Sequence, residues 1–422
     1  MKYLHIRNAR LLDPQQGLDD VLDLYVAEGQ IRAIGQKPAG GTIEETLDAQ
    51  GQWLLPGLVD LSTYLNEPGY LQKGSIQTET RAAASAGFSH VCAQPLTKPV
   101  ADSPAVIQLI QEKAATAGYA RVLPLGALTQ GLDGDQLANM VSLRNAGCRA
   151  LSNARQPVKD SYVLRRLMEY AATYDILLFL SADDRALSAS GVMHEGPTAT
   201  RLGLAGIPET AETIALAQLL LLIEQTGVRA HISQISCARS LEMLADARAR
   251  GLRVTADVAL ANLVFTAREV SGFDSRFHVQ PPLRGEKDRQ ALLTAVNRGE
   301  LAICSNHQPH EISAKKAPFA DAAAGMSMYD CFMPLLLELV RKGELHLPAA
   351  ISALCHQPAA VLGLEHGLVQ GHRFSATLID PQAVGGKILS RGSNLPLDHS
   401  ELAGRVEATF VDGRMVYRRQ PG

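Results

Sequence analysis

The sequence predicts an α/β fold, in which a (β/α)8 TIM barrel is joined to a small β-sandwich domain built from both ends of the chain. Three observations predict it. The first 50 and the last 45 residues alternate apolar and polar side chains with the period of a β-strand. Between them, eight short apolar runs alternate with longer segments of helical periodicity. Glycines close several of these helical segments just before the next run, as helix C-caps do.

The terminal segments carry two hairpin signals. Glu28 and Gly29 separate two β-like runs near the N-terminus, and Asp412-Gly413 joins VEATFV to MVY near the C-terminus. Such pairs supply the positive φ angles of two-residue hairpin turns. We therefore assign residues 1–55 and 375–422 to the small β-domain and residues 56–374 to the barrel.

Eight apolar runs are the predicted barrel strands. Ser103 and Pro104 suit the N-cap and first turn of the helix after the second run, and Gly227 suits the end of the helix before the sixth. Eight βα units fit a barrel, whose typical size is about 250 residues, better than a doubly wound sheet. In either fold the functional residues lie at the carboxyl ends of the strands. The runs are residues 53–62, 88–95, 121–129, 148–153, 176–182, 229–236, 253–260 and 301–306.

Composition excludes several classes of protein. Of the 422 residues, 40 are Lys or Arg and 43 are Asp or Glu, so no overall basic field exists to hold nucleic acid or an anionic membrane. No apolar run approaches the roughly 20 residues that cross a bilayer, and the N-terminal segment does not have the pattern of a signal peptide. The six cysteines have no CxxC spacing and predict buried thiols. We expect a cytoplasmic protein.

The end of the first predicted barrel strand reads PGLVDLSTYLNEPG, residues 56–69. This segment closely resembles the dihydroorotases of the amidohydrolase superfamily, whose motif is PGxxDxHxHxREPG. Residues 80–100, 190–212, 280–284 and 305–319 are similar to further family segments in the same order. The resemblance covers essentially the whole chain. It implies an amidohydrolase-like barrel, in which zinc activates a water that attacks a cyclic amide and an aspartate moves the proton.

The same resemblance locates the positions that would carry this chemistry, and other residues occupy them. Neutral amides and hydroxyls are poor zinc ligands, and an amide cannot take and release a proton as a carboxylate does. We therefore expect no metal, no cofactor and no catalytic residue. The metal-ligand positions are Ser62, Tyr64, Asn153, Ser181 and Gln234, the catalytic aspartate position is Asn306, and the substrate-binding positions are Asn66, Leu96 and Gln280.

Four other histidines are weighed as alternatives. His307 and His310 match loop residues of the family pattern, and inheritance with packing or exposure is favoured over an H-x-x-H metal pair. His231 is expected to be a hydrogen-bonded core histidine. His194 stands where the family has asparagine, and it faces either the old pocket or the surface.

Asp183 and Asp184 could be paired carboxylates for acid and base chemistry, although solvation or helix capping is favoured. An active amidohydrolase with a relocated or metal-free site remains an alternative, built from Asp183, Tyr64, His307 or His310. A sensor that binds a pyrimidine ligand in the barrel without turnover is a third, weaker hypothesis.

The chain still specifies a fold although the chemistry has been replaced, which suggests a role through its surfaces. It resembles the inactive dihydroorotase-like chains that associate with aspartate transcarbamoylase in some bacteria. That resemblance implies a non-catalytic partner of the transcarbamoylase catalytic chain, required for assembly, stability or activity in de novo pyrimidine biosynthesis. It also implies a homodimer within a larger hetero-oligomer. The near-neutral charge predicts no nucleic-acid or membrane partner.

Overall fold

The computed structural model describes residues 1–398 and 400–420, and it contains the predicted barrel. Each barrel strand pairs in parallel with the next. A bridge between Thr63 and His307 joins the eighth strand to the first and closes the ring. The barrel prediction is therefore confirmed. In order, the eight barrel strands are Leu58–Thr63, Phe88–Ala93, Arg121–Pro124 with its continuation Gly126–Ala127, Leu151–Ser152, Leu178–Ser181, Ala230–Ser233, Val254–Ala259 and Ala302–Cys304.

Helices surround the barrel and cover its apolar strands. Ser103 precedes the helix that begins at Pro104, and Gly227, with φ of 67°, ends the helix before the sixth strand, both as predicted. The helices are Ile76–Ser85, Pro104–Ala117, Met140–Asn145, Ser161–Thr173, Arg185–Ser188, Pro197–Leu202, Glu209–Thr226, Ala238–Ala249, Leu260–Val264, Glu286–Asn297, Tyr329–Arg341, Leu347–Ile351 and Gln357–Leu362. A π-helical turn, Ser352–His356, connects the last two.

Strands from both ends of the chain form one sheet, as predicted. Both hairpin turns are present, with positive φ at Glu28, Gly29, Asp412 and Gly413. The sheet strands are Lys2–Asp13, Leu18–Ala27, Gln30–Ile34, Thr42–Asp48, Trp53–Pro56, Ala376–Val384, Ala403–Val411 and Arg414–Arg418. Its own apolar core includes Ile6, Leu11, Leu24, Leu54, Phe374 and Phe410.

Two details of this sheet differ from the prediction. The run 53–62 is not one barrel strand, because Trp53–Pro56 pairs with Ala376–Val384 in the terminal sheet and the barrel strand begins after Gly57. The hairpin signals predict antiparallel pairing, but the sheet is mixed. Strand Lys2–Asp13 has an irregularity between Ile6 and Ala9, and it pairs in parallel with one neighbour before that point and with another after it.

The interior of the barrel is filled by apolar side chains, including Val59, Leu61, Leu125 and Phe179. All six cysteines are buried and unpaired, as predicted. Within residues 1–398 and 400–420, no helix is both long enough and apolar enough to cross a membrane.

Candidate functional site

The carboxyl ends of the barrel strands meet at one mouth, where a (β/α)8 enzyme carries its active site. The structure places the six replaced metal and catalytic positions at this mouth, each at the end of its strand or within two residues beyond it. In chain order they are Ser62, Tyr64, Asn153, Ser181, Gln234 and Asn306. The question is therefore what these side chains contact.

Ser62 belongs to a chain of hydrogen bonds across three strands. Gln94, directly after the second strand, donates from Nε2 to Ser62 Oγ at 3.1 Å. Ser152 Oγ, in the fourth strand, donates to Gln94 Oε1 at 3.1 Å. All three residues are buried. The first, second and fourth strands are thus connected by neutral side chains.

Gln234 makes a second set of contacts, between the sixth, seventh and eighth strands. Its backbone N–H donates to Asp257 Oδ1 at 2.5 Å, and its Nε2 lies 3.8 Å from Cys304 Sγ. His231 bonds Asp257 Oδ2 at 3.1 Å and Thr255 Oγ1 at 2.9 Å, so it is the core histidine that the sequence predicted. The side chain at the old sixth-strand position is therefore held among protein partners.

Asp60, within the first strand, is fully buried and accepts hydrogen bonds from the other side of the closing seam. Ser305 donates its N–H to Oδ1 at 2.9 Å and its hydroxyl to Oδ2. Tyr329 donates its hydroxyl to Oδ2 at 2.8 Å, and Ser62 its N–H to Oδ1 at 3.2 Å. Burial raises the pKa of Asp60. We call the contacts around Ser62, Gln234 and Asp60 the hydrogen-bond belt.

Asn153 and Asn306 are also engaged by the protein. Asn153 Oδ1 accepts from Thr129 Oγ1 at 2.9 Å, and its Nδ2 donates to the Gln156 carbonyl at 3.1 Å. Asn306 Nδ2 donates to the carbonyl of Gln280 at 3.0 Å. A neutral amide does not accept and release a proton as a carboxylate does, so neither side chain can act as the general base.

Tyr64 directly follows the first barrel strand. Its side chain is buried, and burial raises its pKa while the nearby charge of Arg155 opposes that rise. Ser181 borders a cavity, and its hydroxyl makes no hydrogen bond to any residue in the described part of the chain.

The three replaced substrate-binding positions lie around the same mouth. Asn66 is buried and donates from Nδ2 to the carbonyl of Tyr64 at 3.3 Å. Leu96 offers an apolar side chain only, and Gln280 accepts at its carbonyl from Asn306. None of these side chains supplies the positive charge that would bind a substrate carboxylate there.

His307 and His310 do not form a metal pair. His307 Nδ1 accepts the backbone N–H of Met328 at 3.0 Å, so its Nε2 carries the proton and donates to Glu79 at 2.9 Å. His310 Nε2 donates to the carbonyl of Ala324 at 2.8 Å, and burial lowers its pKa to about 4. Both rings are buried structural groups.

Asp183 and Asp184 have separate roles. Asp184 caps the helix Arg185–Ser188 through the N–H groups of its first turn, as predicted. Asp183 accepts from Ser188 Oγ at 2.7 Å and lies near Arg185. The side chains of Asp183, His307 and His310 bond to Ser188, Glu79 and the Ala324 carbonyl, and not to one another as a relocated catalytic site would require.

His194 is half-buried, and its Nδ1 lies 3.3 Å from Arg284 Nη1. Burial and the charge of Arg284 both lower the pKa of His194. Its ring therefore belongs to the surroundings of Arg284, and it is not exposed as a free surface histidine.

The mouth does not fit the zinc ion that the fold family implies. Zinc needs about three or four imidazole, thiolate or carboxylate donors in one place. In the part of the chain that the structure describes, no group of three or more His, Cys, Asp or Glu side chains is placed to hold a metal. The donors present at the six positions are hydroxyls and amides, most of which already have protein partners.

Several residues of the mouth were not predicted from the sequence, chiefly Gln94, Asp257, Tyr329 and Arg155. Gln94 directly follows the second strand, so the rule that functional groups lie at strand ends could have found it. Asp257 and Tyr329 are recognised only when strands far apart in the chain are brought together.

Replacing Gln94 with Leu tests the belt. Because the buried hydroxyl of Ser62 loses its hydrogen-bond partner, we expect the free energy of unfolding to fall by about 2 kcal/mol. Chemical denaturation measures this. Gln218→Leu is the matched control and should have little effect, since that side chain is exposed where it bonds Ser161 Oγ. Adding Ser62→Ala to Gln94→Leu should restore part of the lost free energy of unfolding. If Gln94→Leu and Gln218→Leu destabilise the chain equally, the hydrogen-bond belt does not contribute to stability.

Comparison with known proteins gives the class. A family model described as "Dihydro-orotase-like" matches residues 51–240. The L-hydantoinase (dihydropyrimidinase) of Arthrobacter aurescens has the same fold, with a TM-score of 0.86 at 20% identity, covering 99% of this chain and 96% of that one. A dihydropyrimidinase of Brevibacillus agri has the same fold, with a TM-score of 0.80, covering 99% of this chain and 95% of that one. The fold is thus the amidohydrolase barrel with its β-sandwich domain.

Sequence relatives define the family more narrowly. The chain is 49% identical over 419 residues to a "Dihydroorotase-like protein" of Pseudomonas aeruginosa, covering 98% of this chain and 99% of the relative. It is 47% identical to a protein of the same name from Pseudomonas putida, with the same coverage. A "Dihydroorotase" of Trichlorobacter lovleyi is 37% identical over 98% of this chain and 99% of its own length. The chain belongs to the dihydroorotase-like family.

Proposed function

We propose that this chain is a non-catalytic dihydroorotase-like subunit, which supports the assembly, stability or activity of an aspartate transcarbamoylase in de novo pyrimidine biosynthesis. One observation carries the proposal. At the barrel mouth, the side chains at four of the six replaced metal and catalytic positions, Ser62, Asn153, Gln234 and Asn306, are used as hydrogen-bond partners within the fold.

The chemistry at the mouth supports a non-catalytic role. A hydrolytic site needs an activated water and a group that accepts its proton. Here Ser62 accepts from Gln94, the Asn306 amide donates to a carbonyl, and Tyr64 is buried. The side chains at this site make hydrogen bonds within the fold, and they supply neither a metal ligand nor a proton acceptor.

The relatives support the same direction. The two Pseudomonas proteins named dihydroorotase-like are 49% and 47% identical to this chain, whereas the protein of Trichlorobacter lovleyi that is named dihydroorotase is 37% identical. The choice of aspartate transcarbamoylase as the partner rests on the resemblance stated from the sequence. A homodimer of this chain within a larger hetero-oligomer, in the cytoplasm, is part of the proposal.

Co-expression with the transcarbamoylase catalytic chain of the same organism tests the partnership. We expect the two chains to elute together as one large assembly, and transcarbamoylase activity or its resistance to heat to be higher with this chain than without it. The L-hydantoinase of Arthrobacter aurescens is a suitable control, because it shares the fold at only 20% identity and should not co-elute. The proposal fails if the catalytic chain has the same size, activity and heat resistance in the absence of this chain.

A further inference from the structure

A cavity of about 340 Å³ lies beside the barrel mouth, at the ends of the fourth and fifth strands. Its lining includes Asn153, Arg155, Ser181 and Asp183 from the strand ends, and Gln218 from the helix Glu209–Thr226. A volume of this size is at the lower end of the range of small-molecule sites in proteins. The lining includes two of the replaced metal-ligand positions, Asn153 and Ser181, but none of the replaced substrate-binding positions Asn66, Leu96 and Gln280.

Arg155 is the unusual group in this cavity. Only 11% of its side chain is exposed, and its Nε and Nη1 atoms are buried and have no hydrogen-bond partner among the residues that the structure describes. The nearest carboxylate oxygen, Asp183 Oδ2, lies 3.9 Å from Nη2, which is beyond hydrogen-bond distance. A guanidinium carries five N–H donors, and leaving them buried and unpaired is costly.

The neighbouring charges do not satisfy Arg155. Asp183 is shared with Arg185, whose Nε lies 3.4 Å from the same oxygen, and it already accepts from Ser188. Asp184 and Asp160 accept backbone N–H groups at the starts of two helices. The carboxylates of the cavity thus have donors of their own, and Arg155 approaches Asp183 without a hydrogen bond to it.

We propose that this cavity is a binding site for a small organic oxyanion, whose carboxylate or phosphate oxygens accept from Arg155. Planar guanidinium donors match such oxygens in a bidentate arrangement. Ser181, whose hydroxyl has no hydrogen-bond partner within residues 1–398 and 400–420, adds a donor at the lining of the cavity. The proposal does not depend on the partnership with a transcarbamoylase.

Calorimetric titration of the full-length chain tests this site, with succinate, inorganic phosphate and the neutral succinamide as probes. We expect saturable binding of succinate, of phosphate or of both, and none of succinamide. Arg155→Met should weaken binding at least tenfold. Arg165→Met, on the exposed face of the helix Ser161–Thr173, should leave it unchanged. Binding of succinate alone would identify a carboxylate ligand, and binding of phosphate alone a phosphorylated one.

Stability of the ligand-free chain separates binding from a purely structural role. If Arg155 is kept for an anion, Arg155→Met should unfold at the same midpoint as the unsubstituted chain or a higher one, since a buried unpaired charge is removed. Arg155→Lys should keep part of the binding. The proposal is overturned if none of the oxyanions binds, if Arg155→Met binds them as well as the unsubstituted chain does, or if Arg155→Met is less stable without ligand.

Discussion

Replacing Asp60 with Ala is expected to lower the free energy of unfolding by about 4 kcal/mol or more, because several buried donors lose their acceptor together. The carboxylate receives two N–H groups and two hydroxyls, among them Ser305 N at 2.9 Å and the Tyr329 hydroxyl at 2.8 Å. These bonds connect the first barrel strand to the segment after the eighth. The change therefore weakens the seam at which the barrel closes.

Chemical denaturation followed by far-ultraviolet circular dichroism measures the effect of Asp60→Ala. Asp19→Ala is the control, since that carboxylate is exposed and pairs only with Arg10, and surface pairs contribute little. If the two alanine variants unfold at the same denaturant concentration, Asp60 does not hold the seam. Tyr329→Phe removes one of the four donors, so its loss of free energy of unfolding should lie between those of Asp19→Ala and Asp60→Ala.

Replacing Glu212 with Gln is expected to destabilise the chain by about 3 kcal/mol near neutral pH, because it removes the charge that a buried guanidinium faces. Glu212 lies in the helix Glu209–Thr226 and is buried. It accepts from Ser236 N at 3.0 Å and from Ser240 Oγ at 2.7 Å, and Arg284 Nη2 lies 3.7 Å away. This carboxylate thus connects the helix to the segment after the sixth barrel strand.

The effect of Glu212→Gln should depend on pH. Burial alone would raise the pKa of Glu212, but Arg284 and the hydroxyl and N–H donors outweigh it and hold the pKa below the ordinary 4.5. A carboxylate with a lowered pKa contributes stability above its unfolded value and loses it as the pH falls through the folded value.

Denaturation at several pH values checks the sign. The difference between the unsubstituted chain and Glu212→Gln should be constant from about pH 7 to pH 5 and should narrow below about pH 4. Glu224→Gln, which changes an exposed partner of Arg250, serves as the control with a small effect. A difference that widens toward acid would contradict the direction assigned to the pKa of Glu212.

The barrel was predictable because its signals are local. Apolar runs, helical periodicity and glycine stops each lie within one element, and the hairpin pairs Glu28-Gly29 and Asp412-Gly413 identify their own turns. The division of the run 53–62 was not predictable, because both halves are apolar and only pairing with Ala376–Val384 assigns Trp53–Pro56 to the other domain. The parallel pairing of strand Lys2–Asp13 with Thr42–Asp48 and Trp53–Pro56 was not predictable either, because it depends on which strands meet in the folded sheet.

The candidate site was also predictable in part. The sequence predicts which residues stand at the mouth, since those positions follow from strand ends and from the resemblance. It does not predict their partners. Ser62, Gln94 and Ser152 come from three strands, and the unpaired donors of Arg155 become visible only when burial and distance are known.

The most direct test of the central claim is turnover at the barrel mouth. The full-length chain, purified without chelator, would be assayed for interconversion of dihydroorotate and carbamoyl aspartate with and without added zinc, beside the dihydroorotase of Trichlorobacter lovleyi as positive control. Elemental analysis of the same sample would count bound zinc. The account predicts no turnover above the blank and no stoichiometric zinc in this chain. Zinc-dependent turnover well above the blank would contradict it.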